Sequence, residues 1–236
     1  MEETYTAQAI ILNRQSFREN DSRVIVYTKD QGKLELVARG TKKILSKMAG
    51  HLEPINLTDI MVIKGKNFDY IGGAVNQEAY YNIKSDLAKL EIAGKGLRFF
   101  NQLVKLELSD KLIFNLLISY FDTLNSSKKI DNNLFYHFFV LKLLTKLGHQ
   151  PELYYCAKCK NKINLFNISF NYAQGGLICP ACPRGRHGLT ISENCVKVLR
   201  FAIKNDFDQL IKLNIFAQTR VEIIKVINFF SKYNFV

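Results

Sequence analysis

Two cysteine hooks constrain this chain more than any other feature in it. Cys156 and Cys159 form one Cys-x-x-Cys pair, Cys179 and Cys182 form the other, and 19 residues lie between them. Each hook presents two thiolates from a tight turn, and two hooks complete a tetrahedral four-sulfur shell of the kind that binds zinc. Disulfides are the competing use of four cysteines. They suit small secreted chains, whereas this one has 236 residues and opens MEETYTAQAI, with neither the basic nor the apolar segment of a secretion signal. Redox chemistry needs one hook, not two, in a βαβ setting that is not found here. The spacing therefore predicts one structural Zn2+ per chain on Cys156, Cys159, Cys179 and Cys182. Four thiolates leave no coordination position for an activated water. His187, five residues beyond Cys182, is an alternative ligand, and Cys195 reads as a small buried apolar residue.

The rest of the composition is that of a folded chain with a basic surface. Hydrophobic residues make up 47% of the chain and aromatics 12%, enough for a large core. The richest apolar run, Leu134 to Leu147, carries His137, Lys142 and Lys146 and is too short to span a bilayer. A cytoplasmic, nucleoid-associated protein without a membrane partner is expected. The net charge of +12 is unevenly spread. Residues 1–80 hold 11 Lys/Arg against 10 Asp/Glu, residues 81–150 hold 10 against 6, and residues 151–236 hold 12 against 5. A zinc ion with four thiolates subtracts two from the last segment. So basic a chain suits a polyanion, nucleic acid first.

Hydrophobic period divides the chain near residue 80. Before it, Tyr5–Asn13, Ser22–Thr28, Lys33–Arg39, Thr58–Lys64 and Phe68–Val75 alternate as strands, with Gly72 and Gly73 marking a bulge or bend. Ile44, Leu45 and Met48 fall at helical spacing between the third and fourth strands. Five strands with a helix after the third predict an oligonucleotide-binding (OB) barrel over 1–79. Beyond Tyr80 the period lengthens to that of helices. They are predicted over 84–107, with an interruption at the Gly-Lys-Gly of 94–96, and over Asp110–Leu124 and Asp131–Leu147. Two more follow over Ser192–Lys204 and Ala217–Tyr233, the last with Val221, Ile224, Ile227 and Phe230 on one face. The predicted fold class is α+β multidomain: a five-stranded OB-fold β-barrel, then an α-helical domain over 80–236 with a four-cysteine zinc-finger module embedded at 153–189.

Catalytic signatures are missing. The chain has no phosphate loop, His-x-x-x-His helix or nucleophile elbow, and the pairs Asp206/Asp208 and Glu19/Asp21 read as solvated caps. A non-enzymatic binding protein is expected. Its most suggestive segment is residues 38–51, where Arg39, Lys42, Lys43 and Lys47 meet no carboxylate until Glu53. On the predicted helix Lys43 and Lys47 share a face, a repulsion that bound phosphates would relieve. Arg14, Arg18 and Arg23 extend the track, and Phe17, Tyr27, Phe68 and Tyr70 could stack on unpaired bases.

With these pieces assembled, the chain resembles the RecO family of bacterial recombination mediators. The likeness runs through AIILNRQSFRENDSRVIVYTKDQGKLELVARGTKKILSKMAGHLEP, which includes Glu19, Asp21 and a Thr28-x-x-x-Gly32 turn. It continues through LKLLTKLGHQPEL before the first hook and GGLICPAC at the second. Lys160 departs from it, since many family members have glycine after the hook; the departure bears on the knuckle turn rather than on the ligands. The resemblance implies binding of single- and double-stranded DNA and annealing of complementary strands. It also implies partnership with RecR and engagement of the single-stranded DNA-binding protein (SSB), so that RecA is loaded indirectly.

The C-terminal tail of bacterial SSB is acidic and ends in apolar residues. Arg200 and Lys204, beside Leu199 and Ile203 on one predicted helix, offer a cationic rim and an apolar groove for it. The competing readings are a zinc-containing nuclease or tRNA-modifying enzyme, and a zinc-ribbon nucleic-acid-binding factor of transcription or RNA metabolism.

Overall fold

The computed structural model describes residues 3–128 and 130–235 and separates into two compact units, Met1–Ser126 and Ser127–Val236. In the first unit, β1 (Thr4–Phe17), β2 (Asp21–Thr28), β3 (Gly32–Ala38), β4 (Leu57–Ile63) and β5 (Tyr70–Glu78) close a barrel in the order β1-β2-β3-β5-β4. This is the OB arrangement predicted from the alternation. Closure works because β1 is long enough to serve both neighbours, pairing β4 through residues 4–10 and β2 through 9–17. A register shift between Ile11 and Asn13 lets it turn the corner. Ala9, Ile11, Val24, Val26, Leu36, Ile60, Val62 and Ile71 fill the interior. In β5, Gly73 faces Met61 and Ile71 faces Val62, so Gly72 is the bulged residue. A β-carbon there would lie 2.6 Å from Ile63 Cδ1.

Three helices complete this unit: α1 (Tyr81–Lys84), α2 (Leu87–Leu103) and α3 (Lys111–Ser126). Tyr27, on the outer face of β2, is fully buried and meets the rings of Phe100 and Phe114 at 4.9 and 6.2 Å. Lys33, paired with Tyr27 across β2 and β3 and so on the same face, donates from its ammonium to the carbonyls of Asn101 (2.6 Å) and Val104 (2.8 Å) at the end of α2. The predicted break at residues 94–96 does not occur, because α2 runs straight through. Gly96 is there for packing, since a β-carbon would stand 2.7 Å from Tyr120 Cε1. The change from strand to helix falls at Glu78–Tyr81, but the compact unit extends past it to Ser126.

The helix predicted around Ile44–Met48 is also absent; residues 39–56 form turns. Helical spacing forms no helix without a surface to bury it, and Ile44 and Leu45 have none.

The second unit holds α4 (Asn132–Lys146), β6 (Ser169–Asn171), β7 (Gly176–Ile178), β8 (Gly188–Thr190), α5 (Glu193–Lys204), α6 (Phe207–Leu210) and α7 (Ala217–Phe235). The helix starts follow the predicted caps. Asp131 accepts from the Leu134 amide at 3.2 Å, and Ser192 Oγ from the Cys195 amide at 3.2 Å. Gly148 ends α4 with φ +86°. In α7 the buried face is Ile223, Val226, Ile227 and Phe230, with Val221 half exposed, so the stripe is rotated by part of a turn from the predicted one. Among the described residues no helix is long and apolar enough to cross a membrane.

Candidate metal centre and nucleic-acid interface

The four hook cysteines converge in the second unit. Their Sγ atoms all lie within 4.8 Å of one another, and none is in a disulfide. Backbone hydrogen bonds build the knuckles. The Lys160 amide donates to the Cys156 carbonyl at 2.9 Å, the Cys182 amide to the Cys179 carbonyl at 3.1 Å, and the Cys179 amide to Cys156 Sγ at 3.5 Å. The β6–β7 hairpin leads the second hook back to the first, and β8 pairs on the other side of β6. A tetrahedron of about 2.3 Å metal–sulfur bonds has edges of about 3.8 Å. Cys159 Sγ and Cys179 Sγ are 3.7 Å apart, so the shell fits a tetrahedral ion.

The electrostatics point the same way. Burial works against ionisation of Cys156, but amide donors from Cys159, Cys179 and Lys158 outweigh it and hold this thiol below its ordinary value. Its neighbours then push Cys182 up: hydrogen bonding to Cys179 acts first, burial second. Four thiolates brought this close repel one another unless a multivalent cation lies between them. His187 lies outside the set, with Nδ1 3.1 Å from the Tyr172 hydroxyl and its ring packed on Tyr233. Cys195 is fully buried, and burial raises its thiol.

At one end of the barrel, arginines and aromatic rings interleave. The end of β1, the start of β2, the end of β3 and the start of β5 meet there. Phe17 lies edge-to-face with Phe68 at 5.8 Å, with the guanidinium groups of Arg18 and Arg23 at 5.1 and 4.8 Å from its ring. Arg39 covers Tyr70 at 4.0 Å. Arg23 also pairs with Glu35 at 3.0 Å across β2 and β3. Lys42, Lys43 and Lys47 are exposed on the adjoining loop. Arg14 is used differently, donating from Nη1 to the Ala49 carbonyl at 2.6 Å, which ties that loop to β1. Tyr27, named among the stacking candidates, is core, whereas Phe17, Phe68 and Tyr70 are accessible. This combination of flat π surfaces and cations is the chemistry that holds bases and phosphates.

On α5, Leu199 is 1% exposed and belongs to the core, while Ile203 is half-buried. Arg200 donates to the Leu153 carbonyl through Nε at 3.0 Å and through Nη2. Its guanidinium lies 4.3 Å from the Tyr154 ring, and Lys204 Nζ lies 5.4 Å from the same ring. Sequence reasoning misses Tyr154, because it lies 46 positions before Arg200 and nothing local links them.

Comparison with known proteins gives two family matches in chain order. Residues 1–77 match the family described as recombination protein O, N terminal, and residues 84–235 match recombination protein O, C terminal. Among curated relatives, the DNA repair protein RecO of Dehalococcoides mccartyi is 30% identical over 211 residues, covering 89% of this chain and 83% of the relative. That of Clostridium perfringens is 29% identical over 224 residues, 93% of this chain and 88% of the relative. That of Desulforamulus reducens is 27% identical over 230 residues, 97% and 89% respectively.

Proposed function

The chain belongs to the RecO family of DNA repair proteins, and on that premise we propose that it is a non-catalytic recombination mediator. It binds single- and double-stranded DNA, anneals complementary strands, and with RecR promotes RecA loading on SSB-coated single strands. The observation that carries the reading is the barrel end, where Phe17, Phe68 and Tyr70 sit among Arg18, Arg23 and Arg39. Bases stack on such rings without regard to sequence, and lysines of the adjoining loop neutralise phosphates. Zn2+ fits the four-sulfur site better than a harder, oxygen-seeking ion, and its role there is to hold the module's two knuckles together. The cationic pair on Tyr154, Arg200 and Lys204, is proposed to receive the acidic SSB tail.

The test is single-strand binding titrated with salt. Each phosphate contact contributes about 0.7 to the salt slope for single strands, so Lys42→Ala/Lys43→Ala/Lys47→Ala should weaken binding and lower the slope by about two. An unchanged slope and affinity would move the DNA site off the barrel. Preference for structured RNA over single-stranded DNA would favour the zinc-ribbon factor. Arg200→Glu should impair annealing of SSB-coated strands more than of bare ones; equal loss on both would put Arg200 on the DNA path.

A further inference from the structure

Ile44 and Leu45 stand at the tip of the loop between β3 and β4, with exposures of 101% and 92%. Aliphatic pairs so far into water need a reason. The loop beneath them is anchored on both sides. On the side leaving β3, the Gly40 amide donates to Asp21 Oδ1 at 2.9 Å and the Lys42 amide to the Asn20 carbonyl at 3.0 Å. Thr41 is buried, its hydroxyl donating to Ser22 Oγ at 2.8 Å. On the returning side Arg14 holds the Ala49 carbonyl, and the fully buried Asn56 donates to the Gly50 carbonyl at 2.9 Å. Two turn bonds, Lys43 amide to Gly40 carbonyl and Ser46 amide to Lys43 carbonyl, shape the tip between these anchors.

We propose that Ile44 and Leu45 form a wedge that enters a base step of bound nucleic acid and parts the stacked bases on either side. The proposal rests on the reading of this barrel end as a nucleic-acid interface. Charge selects the occupant. Lys42, Lys43 and Lys47 bracket the pair, and no carboxylate occurs from residue 36 to residue 52. Phosphates flank every base step, so cations on both sides of an aliphatic tip match a step entered from its backbone. Bases displaced by the wedge meet flat partners at the same end of the barrel, on Phe68 and on the Arg39–Tyr70 pair. Neither a bond change nor ATP is involved: phosphate contacts and burial of the two side chains offset the stacking lost. The consequence is that short hairpins in a single strand open on the protein, which exposes their bases for pairing with a complement.

The test uses the full-length, metal-loaded protein and an oligonucleotide hairpin with 2-aminopurine in its stem. Stacking quenches this base, so its emission should rise when wild-type protein saturates the hairpin, with saturation read separately by anisotropy. Ile44→Ser/Leu45→Ser changes only exposed positions and should keep binding while losing the rise. Saturated binding by wild type without a rise overturns the wedge and leaves the DNA-binding reading standing. No binding at all sinks that reading instead. A rise that survives in the serine variant also overturns the wedge. If, in addition, the variant anneals less well only when a second protein is present, the tip belongs to a protein contact.

Discussion

Lys160 follows the first hook in a backbone conformation that a β-carbon disfavours, with φ +63°. The knuckle needs that left-handed residue, because the Lys160 amide must turn back to the Cys156 carbonyl. Glycine takes this conformation without the penalty of roughly 1 kcal/mol or more that other residues meet. Lys160→Gly should therefore stabilise the metal-loaded module by about 1 kcal/mol, while Lys160→Ala should change little. Chemical denaturation of the two variants side by side checks this. Lys33 is the converse case, a charged residue committed to structure. The residue is 8% exposed, its ammonium serves two carbonyls at the end of α2, and burial lowers its proton affinity. The folded state thus releases this proton more readily than the unfolded chain. Stability contributed by Lys33 should rise with pH between its lowered folded value and the ordinary lysine value of about 10.5. Lys33→Met should cost about 2–3 kcal/mol at neutral pH by leaving the carbonyls unpaired, and should abolish the alkaline rise. Urea titrations at neutral and alkaline pH separate the two effects.

Between helices, small residues decide how closely elements approach. Gly94 and Gly96 sit two residues apart in α2, and both suggest a break when read from sequence. In the fold only Gly96 is confined, lying under the ring of Tyr120, whose hydroxyl donates to the Ile92 carbonyl at 2.9 Å. A β-carbon at Gly94 would meet only Arg98 Nη1, at 3.5 Å. Gly94→Ala should gain up to about 1 kcal/mol from helix propensity. Gly96→Ala has the same propensity gain but must displace a fully buried tyrosine, so it should lose about 1–3 kcal/mol net. Denaturant midpoints of the two single variants give the comparison, and equal shifts would refute the packing account. Local pattern cannot tell these glycines apart, since the difference is made by α3, more than twenty residues away. The capped helix starts at Asp131 and Ser192 are legible because a cap is a local device. The α7 stripe is misplaced by its pattern because Val221, though apolar, faces water, while Ile223 and Val226 face the core.

Across the molecule, what the sequence reveals follows the range of the interaction involved. The barrel is readable because alternation is local and five strands in that order close in few ways. The metal centre is readable because each hook is a local turn marked by its own Cys-x-x-Cys spacing. The stacking of Arg39 on Tyr70 and of Arg200 on Tyr154 is not, since side chains so distant in sequence leave no periodic trace. The same partition governs how the chain should respond to losing its metal. All five cysteines lie in the second unit, between residues 156 and 195, and the strands beside them are three residues each, too short to persist by themselves. The barrel has its own apolar interior and contains no cysteine. Elemental analysis should find one zinc per chain, with loss to about background in Cys179→Ser. Chelation should then strip hydrogen-exchange protection from the amides of β6, β7 and β8 while those of β1 to β5 keep theirs, because metal binding and folding of the module are one equilibrium. Protection retained in all eight strands after zinc is removed would show that packing, not the ion, holds the knuckles together.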